Sequence, residues 1–159
     1  MGKREVRVIV VRKYMTVALL VLVSALMAAL LFYLSGKAYT NDDDEPLTQL
    51  LLRTMHRQAP ITRDALLAGL MPVIANMLFF VPWGFLVFVL FDSPKRPRSR
   101  TYLITVLAGA IFAAAMEVGQ SLLPTRVIGV FDVLSNTLGA LAGAIAGHVR
   151  KRVHVQFDY

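Results

Sequence analysis

Between Tyr14 and Leu34 the chain reads YMTVALLVLVSALMAALLFYL, an apolar run without one charged side chain. At about 1.5 Å per residue, a helix of this length covers a hydrocarbon core of roughly 30 Å. Lys3, Arg4, Arg7, Arg12 and Lys13 precede it, as in a cleaved secretory signal. The apolar part exceeds the usual signal core of about 7–15 residues, however, so the run reads as a retained membrane span.

Three further runs follow. Leu66 to Phe91 contains LLAGLMPVIANMLFFVPWGFLVFVLF, with Pro72 and Pro82 inside it, and therefore reads as a kinked or broken helix. Tyr102 to Leu123 forms the third span, and about Val133 to Val149 the fourth. Hydrophobic residues make up 57% of the chain and are gathered in these runs rather than spread at amphipathic spacing. The expected fold is all-α: a single polytopic membrane domain over residues 1–159, with spans at 14–34, 66–91, 102–123 and 133–149. Cysteine is absent, which excludes disulfides, thiolate metal sites and cysteine nucleophiles.

The net charge of +7 does not mark a nucleic-acid protein, because the basic residues sit in short clusters flanking the apolar runs. Most lie before the first span, in DSPKRPRSR (92–100) and in RKR (150–152). That side is expected to face the cytoplasm, with both termini inside and the chain in the cytoplasmic membrane. On the opposite side, after Asp44, Glu45 and Pro46, the stretch LTQLLLRTMHRQ carries leucines at helical spacing. It suggests an interfacial helix over 46–58, with a loop packed on the bundle as the alternative.

Polar residues interrupt the apolar runs in one place. Glu117 and Gln120 near the end of the third span share a helix face, as do Asp132 and Asn136 at the start of the fourth, and Asn76 lies within the second. These side chains are expected to converge in the outer half of the bundle, because a charge facing lipid costs about 2.5–3.5 kcal/mol even on mild scales. Arg126, in the short connection PTRVIGVFD, is the nearby cation and a partner for Glu117 or Asp132. This connection is expected to dip back into the outer leaflet under protein cover. Gly139, Gly143 and Gly147 recur every four residues and indicate close helix packing, and Gly109 and Ala113 give the third span a matching small face. Interhelical glue would need only one or two hydrogen-bonding residues per interface, so the larger set also reads as a working site.

The segments NMLFFVPWGF (76–85) and EVGQSLLPTRVIGVFDVLSNTLGALAG (117–143) resemble the two signatures of the VanZ-like family. The resemblance covers the second to fourth spans. It implies that Asn76, Pro82, Gly84, Glu117, Gln120, Arg126, Asp132, Asn136 and Gly139 are signature positions, and it sets Trp83 and Gly143 within the same motifs. It also implies a small polytopic protein of the cytoplasmic membrane and, through the family's namesake, a link to lowered susceptibility to teicoplanin-type lipoglycopeptides.

Several function classes fit these residues. In one, Arg126 and the amides of Asn76, Gln120 and Asn136 hold a lipid head group or a lipid-linked cell-wall precursor in the outer leaflet. In a second, the cluster is a substrate station of a transporter or channel subunit, with a homo-oligomer completing the path. In a third, Glu117 and Asp132 act as acid and base on a lipid-linked substrate. No histidine cluster suits zinc, although two carboxylates could coordinate a hard divalent cation. No cofactor, no resident metal and no catalytic residue is expected, and the partners are membrane lipids. A structural protein, whose cluster only orients helices, is the remaining class.

Overall fold

The computed structural model describes residues 3–37, 62–122 and 129–150. Four helices make up the described part: α1 (Lys3–Lys37), α2 (Arg63–Phe91), α3 (Arg98–Gln120) and α4 (Val130–Arg150), with no strand among the described residues. Each holds a stretch long and apolar enough to cross a membrane. The expected interfacial helix over 46–58 and the connection at 123–128, including Arg126, lie outside the described residues.

The helix limits differ from the apolar runs. α1 begins at Lys3, well before Tyr14, because charged residues interrupt an apolar run without breaking a helix. α2 is one unbroken helix through both prolines. Pro72 and Pro82 are exposed, so their rings point away from the neighbouring helices. α3 stops at Gln120 rather than Leu123. Ser121 N donates to the Glu117 carbonyl at 2.9 Å and Leu122 N to that of Gly119 at 3.3 Å, which closes the last turn. α4 starts at Val130, with Asp132 and Val133 donating to the Gly129 carbonyl.

α2 and α4 run parallel in backbone contact. A Cβ built on Gly139 would fall onto the Met77 carbonyl oxygen, one on Gly143 onto that of Val81, and one on Gly84 onto that of Ala140. Any side chain at these three positions would push the helices apart, so glycine is what lets the seam close. Gly147 continues it beneath the Phe88 ring. α3 lies antiparallel to α4, with Gly109 against the Ala140 methyl. At the end where α2 turns into α3, the Tyr102 hydroxyl meets His148 Nδ1 at 2.8 Å, and Phe88 packs against both rings.

α1 is held differently. Its inward face presents Leu20, Val23 and Met27 to a core of Phe80, Trp83, Val87, Ala113 and Ala140. Trp83 lies flat on Phe112, with ring centroids 5.0 Å apart, and its indole N–H donates to Ser24 Oγ at 2.9 Å. Ser24 in turn donates to the Leu20 carbonyl at 2.8 Å, a local bond that leaves its oxygen free to accept from the indole. Only 6% of the apolar window of α1 is buried, against 28–39% for α3 and α4. The remaining face is suited to lipid.

Candidate functional site

The polar residues gather at the end of the bundle opposite the α2–α3 turn. Asn76 Nδ2 donates to Asp132 Oδ1 at 2.6 Å, joining α2 to the first turn of α4. A carboxylate accepts only, so this contact fixes which side of the Asn76 amide faces it. Gly129 N donates to Glu117 Oε1, also at 2.6 Å, joining the last turn of α3 to the residue that precedes α4. Both carboxylates thus lie at the N-terminal end of α4.

Burial sets the energetic stakes. Glu117 and Gln120 are 4% exposed and Asn136 is 6%, while Asn76 and Asp132 are half-buried. Gln120 is the last residue of α3 and Asn136 lies one turn below Asp132 on α4. The antiparallel register fixed by Gly109 against Ala140 and by Glu117 against Gly129 therefore puts Glu117 and Gln120 level with the start of α4. Ser135 is buried beside them and donates to the Asp132 carbonyl at 3.0 Å. Asn76, Glu117, Gln120, Asp132 and Asn136 are thus brought to one end by three helices.

The cluster's depth depends on which helix is used as the ruler. Because α3 ends early, Glu117 lies only three residues from its end rather than six. Along α2 the same layer is deeper: Asn76 is seven residues into the apolar stretch that begins at Gly69, about 10 Å by the helical rise. α2 therefore extends past the start of α4, and the cluster lies below the rim that α2 sets.

Chemically, the described side chains supply two carboxylates and three amides, a set that can hold hydrogen-bond donors and acceptors together. Among the described residues, no group of three histidine, cysteine, aspartate or glutamate side chains gathers to hold a metal. Pro82 is exposed, Trp83 belongs to the attachment of α1, and Gly84, Gly139 and Gly143 form the α2–α4 seam, so these five shape the scaffold rather than the cluster. Sequence reasoning overlooked Gly129 and Ser24. A glycine just before a helix start was a usable signal for the first. A lone serine in an apolar run gave none for the second.

The four helices and the polar layer between them define a polytopic helical membrane protein. The VanZ/LLP1 family model matches residues 19–150, and the chain belongs to that family. The match also takes in most of α1 and the long connection after it, beyond the two signature segments. No curated protein and no solved structure matches the chain.

Proposed function

We propose that the polar end of the bundle binds the head group of an outer-leaflet lipid or a lipid-linked envelope component. The observation that carries this reading is the convergence of Asn76, Glu117, Gln120, Asp132 and Asn136 from three helices onto one layer below the α2 rim. Arg126 lies in sequence between the two carboxylates and supplies the planar donor fork that suits a phosphate. The orientation belongs to the same proposal: basic flanks in the cytoplasm, both termini inside, and the polar end facing outward from the cytoplasmic membrane. Lowered susceptibility to teicoplanin-type drugs would follow if the bound component were the drug's lipid-linked target.

A second reading is favoured by one observation. The Glu117 to Gly129 bond fastens α3 to α4, which is what interhelical glue would do. The test is retention of lipid head groups by purified protein in nanodiscs, comparing wild type with Arg126→Ala at equal folded amounts. Head-group binding predicts that Arg126→Ala loses retention. Normal retention by Arg126→Ala would remove the phosphate contact and leave the glue reading.

A further inference from the structure

At the opposite end of the bundle the described basic side chains form a second feature. α1 starts there, α2 ends, α3 starts and α4 ends, so Lys13, Lys95, Arg96, Arg98, Arg100 and Arg150 gather at one level. All but Arg96 are exposed. Among the residues whose side chains are described, the carboxylate at the same end is Asp92, so this rim carries a clear positive excess.

Two of these arginines lie over aromatic rings of α2. The Arg96 guanidinium is 5.7 Å from the centroid of the Phe91 ring and donates to the Phe91 carbonyl at 3.2 Å. The Arg150 guanidinium is 5.5 Å from the Phe85 ring centroid. Phe91 is itself exposed at the end of α2. The ring under Arg96 belongs to the last residue of α2, so that guanidinium is held at the end of the apolar span. The start of α3 adds positive backbone character at this level, because its cap residue is Pro97 and no side chain caps it.

We propose that this rim is an interaction surface for anionic phospholipids, whose phosphates in the adjacent leaflet are drawn to Arg98, Arg100 and Arg150 and to the ring-seated Arg96. The occupant is identified by charge complementarity: a positive ring at the edge of an apolar bundle faces phosphates on every side. Each basic residue near an anionic surface raises the local preference by up to about fivefold, and the effect fades within a Debye length. This surface lies at the other end from the proposed head-group site and does not depend on that reading.

The experiment uses the full chain in nanodiscs of phosphatidylcholine with a minor share of phosphatidylglycerol, and native mass spectrometry counts the lipids that stay bound. Wild type is expected to retain phosphatidylglycerol several-fold above its bulk share. Arg98→Gln/Arg100→Gln/Arg150→Gln, which changes exposed side chains only, is expected to fall close to the bulk share. About 0.5 M salt, where the Debye length is roughly 4 Å, should do the same to wild type. Arg63→Gln at the opposite end should change nothing. Bulk-share retention by wild type, or full enrichment in the triple variant, overturns the proposal. Loss of the enrichment in Arg126→Ala but not in the triple variant also overturns it, because it moves the bound lipid to the polar end.

Discussion

α4 and α1 both pack on α2, and they do so by different means. α4 meets it backbone to backbone through Gly84, Gly139 and Gly143, positions where any Cβ would strike a main-chain atom. α1 meets it through apolar side chains and the hydrogen bond between Ser24 and Trp83. In lipid there is little hydrophobic drive between helices, so close packing and hydrogen bonds decide which pairs hold firmly. The contrast teaches that α2, α3 and α4 form the rigid frame on which the polar layer is built, whereas α1 is an addition to that frame.

The hardest blow to that contrast is Gly143→Val. Its side chain meets the Val81 carbonyl and the Phe85 backbone, neither of which can turn aside. A loss of about 3 kcal/mol or more is expected, read as a collapse of the thermal midpoint in detergent. Gly147→Ala sharpens the point. Its nearest neighbour is a Phe88 ring carbon at 2.9 Å, which can shift, so a cost of about 1 kcal/mol or less is expected from the same melt.

Glu117→Ala comes next, since it strands the buried Gly129 N–H, and a loss of about 2 kcal/mol is expected. Glu117→Gln keeps an acceptor oxygen and should cost clearly less in the same unfolding assay. Across α2 and α4, a double-mutant cycle on Asn76→Ala and Asp132→Ala should return a coupling of about 1.5 kcal/mol. Ser24→Ala should cost only about 0.6 kcal/mol, near the average for hydrogen bonds between membrane helices. Trp83 is the only tryptophan, so its emission reports the loss of that bond directly. Smallest of all is Thr101→Val. The buried Thr101 Oγ1 has no hydrogen-bond partner among the described residues, so replacing it by a methyl should leave the midpoint unchanged or slightly raised.

The spans were legible because apolar runs of this length have few other uses, and the Gly139, Gly143 and Gly147 spacing marked a close-packing face. The sequence did not reveal which helix that face meets. Gly109 and Ala113 on the third span looked like its match, but the glycines lie chiefly on α2, where Gly84 and the carbonyls of Met77 and Val81 receive them. Spacing shows which residues share a face but not which neighbour lies opposite. The polar residues could be picked out because each is costly in lipid. Their pairing was not legible, because Asn76 to Asp132 and Glu117 to Gly129 depend on where α3 stops and α4 starts. Helix ends are the part of a membrane span that hydropathy defines least.

In the proposed function the polar layer binds a head group and is more than a fastening between helices. The most direct measurement is head-group retention by Gln120→Leu in nanodiscs, taken beside its thermal midpoint. Head-group binding predicts that retention is lost while stability falls by no more than one hydrogen bond's worth, about 1 kcal/mol. Retention at the wild-type level would contradict it, and the layer would then be structural alone.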